Sequence, residues 1–248
     1  MKSLYHIKFS SEPNASFAIL PGDPERVETI AKKLDNPRFF SQNREYTAWI
    51  GELCGENVLV MSTGMGGSST AIAVEELATV GVNTFIRVGT CGGMDTRVKG
   101  GDIVIANAAI RTEGTSKEYA PIEFPAVSDI EVTNALLAAA KASEYDSHVG
   151  VVHCKDSFYG QHSPERMPVG YELQSKWAAW IKAGTLASEM ESAALFIVCQ
   201  TLGLRAGCVL SVIWNQERRR LGMPDADGDD YIASDIAVDA VARLIKEK

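Results

Sequence analysis

The stretch of this sequence best suited to chemistry is a basic side chain followed by glycines. Arg87 lies inside the apolar run of residues 84–88, whose composition is typical of a strand buried on both faces. A buried guanidinium group without a partner is too costly to be filler, so we expect an anionic group to meet it. The glycine-rich residues 89–93 would let the backbone turn and direct its N–H groups at a ligand. The pattern predicts an anion site, although a structural carboxylate is the plainer partner for Arg87.

A second anion feature lies near the N-terminus, in the sequence PGDPERV. Asp23 followed by Pro24 predicts the start of a helix, because aspartate caps helices and proline suits their first position. The amide of Gly22 and the side chain of Arg26 could then face one anion at the helix N-terminus. An ordinary capped helix with a surface arginine would have the same sequence pattern, so this turn alone does not establish an anion site.

Polar and aromatic side chains also follow the strand predicted over residues 148–154. Phe158, Gln161 and Arg166 lie on the connection after that strand, where open α/β sheets bind ligands. Glu189 and Glu191 stand at the start of an otherwise apolar helix, where acidic side chains interact favourably with the helix dipole. The same two carboxylates could instead bind hydroxyl groups of a ligand.

Composition excludes several classes of partner. The formal net charge is −8, with 24 basic and 32 acidic residues, which argues against nucleic-acid or anionic-membrane binding. Five scattered cysteines without a CxxC pair predict neither a disulfide framework nor a zinc site. No run approaches 18 apolar residues and the N-terminus lacks an apolar signal region, so we expect a soluble, cytoplasmic protein.

Alternating strand and helix patterns must position these residues. Strands are expected at residues 16–20, 44–53, 56–63, 84–88, 102–110, 148–154 and 205–213. A helix capped by Ser68 or Ser69 and ended by Gly81 would make residues 56–89 a parallel β–α–β unit. Further helices are expected from Ser128, over residues 172–183, after Glu191 and at the C-terminus, with a polar, mobile loop at 216–230. Without repeats or a linker, residues 1–248 are predicted to form a single domain.

A dinucleotide-binding fold is the first alternative that a β–α–β unit suggests. Gly64, Gly66 and Gly67 do not make the GxGxxG pattern, however, and no acidic residue ends the following strand. This alternative is therefore disfavoured.

Four separated motifs, PGDPERV, STGMGG, FIRVGTCGG and EMESA, resemble those of the nucleoside phosphorylase-I family. The resemblance runs from residue 5 to the C-terminal helix. It implies an α/β fold, a three-layer α/β/α sandwich with a mixed, mostly parallel central sheet. It also implies that inorganic phosphate is the co-substrate, with no cofactor and no catalytic side-chain nucleophile or general acid.

The resemblance assigns roles to individual residues. For the phosphate site it implies Gly22, Arg26, Arg87, Gly89 and Thr90, with Arg44 supplied by a neighbouring subunit. For the ribose it implies Thr90, Met190 and Glu191, with His6 from the neighbour, and for the base it implies Cys91, Gly92, Phe158, Gln161 and Arg166. Sites shared in this way imply homodimers, which the family assembles into hexamers.

The region after the last core strand bears on which base the enzyme would release. The family's purine enzymes use an aspartate there to protonate the base, whereas this chain has Asn215. The resemblance therefore implies a pentosyltransferase of pyrimidine salvage that converts uridine and phosphate to uracil and α-D-ribose 1-phosphate. Phosphorolysis of purine nucleosides remains an alternative, and so does a catalytically silent nucleoside or phosphate binder. A nucleosidase, which uses water, would not need so many phosphate arginines.

The chain departs from the family's pyrimidine enzymes at several positions. Gln161 and Arg166 are five residues apart rather than two, Cys91 replaces a threonine, and Gln216 replaces an arginine, with Arg218 nearby. These departures leave open which arginine contacts the base. No metal is required, although some family members hold a potassium ion between subunits at positions matching Glu45, Met65 and Ser69.

Overall fold

The computed structural model describes residues 4–247, which form ten strands and nine α-helices. The strands are β1 (Phe17–Pro21), β2 (Asp35–Asn43), β3 (Tyr46–Leu53), β4 (Glu56–Met61), β5 (Thr84–Gly93), β6 (Ile103–Arg111), β7 (Ala126–Val127), β8 (Ser147–Cys154), β9 (Ala187–Glu189) and β10 (Arg205–Asn215). The helices are α1 (Glu25–Ala31), α2 (Gly67–Thr79), α3 (Thr115–Tyr119), α4 (Ile130–Ala142), α5 (Phe158–His162), α6 (Gly170–Lys182), α7 (Ser192–Thr201), α8 (Gln216–Arg220) and α9 (Ile232–Lys246), with a 3-10 turn at Pro164–Arg166.

All ten strands belong to one mixed sheet that partly closes on itself. Strands β2, β3, β4, β1 and β5 lie side by side in that order. Beyond β1, strand β5 pairs with both β10 and β9, and β10, β6, β8 and β9 complete a ring back to β5. The longest pairings, β5 with β10 and β6 with β8, are parallel. As predicted, β4 and β5 run parallel, with β1 between them.

Helices cover both faces of the sheet. One apolar core contains the buried side chains of α2 and α7, and a second contains those of α1, α4 and α9. Two cores separated by a sheet are the arrangement of a three-layer α/β/α sandwich, so the predicted fold is confirmed. No helix within residues 4–247 combines the length and apolar character needed to cross a bilayer.

Several local predictions were wrong in detail. Helix α2 begins at Gly67, so Ser68 and Ser69 lie inside it, and the N-cap is Gly66 with φ of 96°. That backbone angle favours glycine, which is why neither serine takes the capping position. Helix α4 is capped by Asp129, whose Oδ1 accepts a hydrogen bond of 3.0 Å from the Val132 amide. The loop predicted at 216–230 contains α8.

The glycines after Arg87 do not make the turn that the sequence suggested. Strand β5 continues to Gly93, paired with β10 along its whole length. A Cβ atom at Gly89 would lie 2.7 Å from Nη2 of Arg87, so glycine is needed there for the guanidinium group to lie along the strand. The glycines therefore make room for a side chain rather than reverse the chain.

Candidate active site

A cavity of about 970 Å³ opens where several strands end. It is bordered by the segments that follow β1, β8 and β9 and by the last residues of β5 and β10. The cavity brings together most of the residues singled out in the sequence, namely Gly22, Arg26, Arg87, Gly89, Thr90, Cys91, Gly92, Phe158, Gln161, Met190 and Glu191.

Two arginines at one end of this cavity have buried nitrogens without hydrogen-bond partners. In Arg87 this nitrogen is Nη1, and in Arg26 they are Nε and Nη1. Arg26 Nε lies 3.4 Å from Oδ2 of Asp230, but without the geometry of a hydrogen bond. A Cβ atom at Gly22 would lie 3.9 Å from Arg87 Nη1, so the first turn and β5 approach closely. Unsatisfied buried cations that face one cavity indicate a site for an anion.

Arg87 also has carboxylate partners, so both interpretations of its sequence context hold. Its Nε donates to Oε2 of Glu189 at 3.2 Å, and its Nη2 forms an ion pair with Glu191. Burial alone would lower the pKa of the guanidinium group, but Glu191 and then Glu189 raise that pKa above its ordinary value. Arg87 is therefore charged, anchored by two acids, and still has one nitrogen free for a ligand.

The two glutamates differ in their surroundings. Burial would raise the pKa of Glu189, but the charge of Arg87 and hydrogen bonds from Ser192 and the Glu191 amide hold that pKa below its ordinary value. Burial dominates at Glu191 and raises its pKa. Glu191 accepts a hydrogen bond of 2.5 Å from the amide of Gly66 as well as the contact with Arg87. Glu189 is thus a fixed anion that also caps the start of α7, and both glutamates line the cavity.

The other end of the cavity carries an aromatic ring and a hydrogen-bonded polar chain. Phe158 is half exposed, so its ring is available to stack on a flat ligand. Ser188 Oγ donates to Gln161 Oε1 at 2.7 Å, and Gln161 Nε2 donates to Gln216 Oε1 at 3.0 Å. Lys155 Nζ donates to Ser188 Oγ at 2.8 Å. An amide held in this way presents a defined donor and acceptor to a ligand.

Sequence reasoning missed Lys155 and Ser188, which both line this cavity. Lys155 directly follows β8, and its place after a strand end was the available signal. Ser188 reaches the cavity because β9 pairs with both β5 and β8, a contact that no local pattern indicates. Cys91 also lines the cavity, and burial raises the pKa of its thiol, so the thiol stays protonated.

His6 and Arg44 do not line the cavity of their own chain. They lie close together elsewhere, because Asn43 Nδ2 donates to the His6 carbonyl at 2.5 Å and Arg44 follows Asn43 in the turn between β2 and β3. Glu76 fixes the segment by accepting hydrogen bonds from the amides of His6 and Ile7 at 2.8 and 2.9 Å. The exposed Arg44 and the half-buried His6 therefore form one surface feature.

Three further residues considered in connection with the base do not line the cavity. Arg166 is exposed, and its guanidinium carbon lies 5.9 Å from the ring centre of Tyr159. Arg218 donates to the carbonyls of Thr96 and Pro224. Asn215 is fully buried, and its Nδ2 donates at 2.8 Å to the carbonyls of Asp95 and Val98. Arg218 and Asn215 are therefore bound to backbone carbonyls of the segments after β5 and α8.

The residues considered for a potassium ion lie together at the cavity rim. Ser69 Oγ donates to the Met65 carbonyl at 3.4 Å, and a Cβ atom at Gly64 would lie 2.9 Å from the Glu45 side chain and 3.4 Å from Ser69 Oγ. Cation binding there stays a prediction. Between residues 4 and 247, no group of three or more His, Cys, Asp or Glu side chains is arranged to hold a metal ion.

Comparison with known proteins places this geometry in a family. A family model described as the phosphorylase superfamily matches residues 16–247. A uridine phosphorylase of Treponema pallidum (strain Nichols) is 54% identical over 244 residues, covering 98% of this chain and 95% of the relative. The uridine phosphorylase of Escherichia coli (strain K12) is 43% identical over 237 residues, with 93% of each chain covered. A guanosine phosphorylase of Halorubrum lacusprofundi is 40% identical over 229 residues, covering 92% of this chain and 89% of the relative.

The resemblance to nucleoside phosphorylases that the four motifs suggested is thus confirmed over nearly the whole chain. The chain belongs to the phosphorylase superfamily.

Proposed function

We propose that this protein is a uridine phosphorylase, which converts uridine and inorganic phosphate to uracil and α-D-ribose 1-phosphate. The observation that carries the proposal is the pair of unsatisfied guanidinium groups, Arg26 and Arg87, at one end of a cavity whose other end holds Phe158 and Gln161. Two relatives of the chain, at 54% and 43% identity, are themselves uridine phosphorylases.

In the proposed reaction a phosphate oxygen attacks C1′ of the ribose. The bond between C1′ and N1 of uracil breaks, and its electron pair leaves with the base. The sugar becomes positively charged in the transition state, so a phosphate held beneath it both stabilises that charge and forms the new bond. Gly22, Arg26, Arg87, Gly89 and Thr90 would hold this phosphate. Neither a metal nor an organic cofactor enters the reaction.

Ribose would lie between the phosphate and the base. Met190 and Glu191 line this part of the cavity, and Glu191 is held against Arg87 and the Gly66 amide. A carboxylate fixed by two donors retains lone pairs that can accept hydrogen bonds from sugar hydroxyls. Thr90 would contact both phosphate and ribose.

A pyrimidine fits the base end better than a purine. Protonating a purine as it leaves needs an acid, and Asn215 is an amide whose nitrogen is bound to two carbonyls. Glu189 and Glu191 are both paired with Arg87. Gln161 offers a donor and an acceptor to the edge of uracil, and Cys91 and Gly92 would border the ring. A polar pocket of this kind rejects the wrong base because its hydrogen-bonding groups would stay unpaired.

The site would be completed by a second copy of the chain. His6 and Arg44 lie together on the surface and do not line the cavity of their own chain. In the proposed homodimer each protomer supplies this pair to the other, with Arg44 on the phosphate and His6 on the ribose. Two equivalent sites then follow from one two-fold axis, and such dimers would assemble into a hexamer.

The test is to incubate the protein with uridine, inosine and guanosine, with and without phosphate, and to measure the free base released. We expect uracil release from uridine that depends on phosphate. Release from inosine or guanosine without release from uridine would reject the pyrimidine assignment. Release without phosphate would indicate a nucleosidase, and no release from any nucleoside would indicate a binding protein.

A further inference from the structure

We propose that Lys155 is the cation of the base subsite and that its ammonium group stabilises the negative charge of the departing base. This inference rests on the phosphorolysis proposed above and extends it to a residue for which the family motifs give no role.

Lys155 is buried, with 8% of its surface exposed, and lines the same cavity as Phe158 and Gln161. Its Nζ donates to Ser188 Oγ at 2.8 Å, and Ser188 Oγ donates to Gln161 Oε1 at 2.7 Å. One hydroxyl group therefore links the ammonium group to the amide expected to recognise the base. This places a positive charge at the base end of the cavity.

The charge of Lys155 has no direct counter-ion. Its hydrogen-bond partners are the Ser188 hydroxyl and the Glu189 carbonyl at 3.4 Å, which are both neutral. Within residues 4–247 no carboxylate forms an ion pair with it, and the side chain of Glu189 is taken by Arg87. Burial lowers the pKa of Lys155, although the nearby charge of Glu189 acts to raise that pKa. A buried cation without a partner is costly, which points to a ligand that brings negative charge.

No other basic residue considered for the base is free to supply this charge. Arg166 is exposed beside Tyr159, and Arg218 is bound to backbone carbonyls. Arg26 and Arg87 belong to the phosphate end.

The chemistry of the leaving group matches this placement. When the bond from C1′ to N1 breaks, the electron pair spreads from N1 over the carbonyl oxygens of uracil. An ammonium group donating to one of those oxygens binds the developing anion more strongly than the neutral nucleoside, and this difference lowers the barrier. Lys155 uses two of its three N–H groups on protein oxygens, so one remains for the base. The uracil anion then takes its proton from water after release.

The test compares uridine with 5-fluorouridine. The base anion of 5-fluorouridine is more stable, so its departure depends less on a positive charge beside it. Lys155→Met removes the charge, and Lys155→Gln removes the charge but keeps a donor for Ser188. For both variants we expect kcat with uridine to fall roughly 100- to 1,000-fold, the range for losing a donor aimed at a developing anion. The loss with 5-fluorouridine should be smaller, and the KM for phosphate should not change. Lys141→Met, at an exposed lysine of α4, is the matched control.

Three results would overturn this role. One is an equal loss of kcat for the two nucleosides, which a merely structural contact to Ser188 would give. Another is a change in the KM for uridine alone, which would mean that Lys155 binds the ground state and transition state equally. The third is unchanged kinetics. Thermal unfolding of each variant checks that it is folded. Failure of the wild-type protein to release uracil from uridine would reject the proposed function itself.

Discussion

The substitution Arg26→Ala tests whether the side chain of Arg26 binds phosphate or stabilises the fold. Arg26 lies in the first turn of α1, and its Nε and Nη1 make no hydrogen bond within the described part of the chain. Its ion pair with Asp230 spans 3.4 Å, and 40% of the Asp230 side chain is exposed. A pair of this kind contributes about 0–1 kcal/mol, so we expect Arg26→Ala to lower the free energy of unfolding by less than about 1 kcal/mol.

The expected loss in phosphate binding is larger. A hydrogen bond between a charged donor and a charged acceptor contributes roughly 1.5–3 kcal/mol. Because each 1.4 kcal/mol is a factor of ten, Arg26→Ala should raise the KM for phosphate roughly 10- to 100-fold. If the contact strengthens as the phosphate attacks, kcat will fall as well.

The assay is initial uracil release at saturating uridine over a range of phosphate concentrations. A second measurement is the unfolding free energy with and without phosphate. A ligand at 100 times its Kd stabilises the folded state by about 2.7 kcal/mol, and at the same phosphate concentration the variant should lose about half of that gain if its Kd is 10-fold weaker and most of it if its Kd is 100-fold weaker. Arg38→Ala is the control, because Arg38 is an exposed arginine of β2 that does not line the cavity.

An unchanged KM for phosphate in Arg26→Ala would refute the reasoning, since the unsatisfied nitrogens would then serve no anion. A fall of several kcal/mol in the phosphate-free unfolding free energy would also contradict it. That result would mean that the guanidinium group stabilises the fold.

Two further predictions concern subunit sharing and acid stability. A heterodimer of Arg26→Ala and Arg44→Ala subunits, isolated with two affinity tags, should recover about half of the wild-type activity because one of its two sites is intact. Activity no higher than that of either parent would contradict sharing. Burial and then the charge of Lys155 lower the pKa of His153 to about 3. As pH falls below about 6.5, His153 becomes protonated in the unfolded chain but stays neutral in the folded chain. This difference lowers the free energy of unfolding by about 2 kcal/mol at pH 5. Urea unfolding at several pH values should show this slope in the wild type and less of it in His153→Gln.

The residues that we predict to bind phosphate could be singled out because their sequence signals are local, and the structure places them in one cavity. Arg87 stands out as a charge in an apolar strand, and Gly22 and Arg26 share one strand-to-helix turn. Each of these signals lies within a few residues, and the sheet only has to bring two strand ends together. Parallel pairing of β1 with β5 does so, with Leu20 opposite Arg87.

Some lining residues near Gln161 could not be singled out from the sequence because their positions depend on long-range pairing. Ser188 contacts Gln161 only because β9 inserts between β5 and β8, a three-residue strand too short to leave a pattern. Strand β2 was missed for another reason. It is an edge strand whose first five residues are exposed, so its hydrophobic alternation is weak. Arg166 was proposed from its type and its loop, which do not determine where the side chain points.

Arg87, Glu189 and Glu191 are better explained together than one by one. Replacing a buried ion-pair cluster by apolar side chains is often neutral or stabilising, so fold stability alone does not account for three charges in the core. The cluster also leaves Arg87 Nη1 unsatisfied, which adds a cost. Since the two carboxylates hold the guanidinium group in place before any ligand arrives, an incoming anion meets a charge that needs no rearrangement. A chain of net charge −8 can present such a site only by concentrating its cations, and Arg26, Arg87 and Lys155 line one cavity.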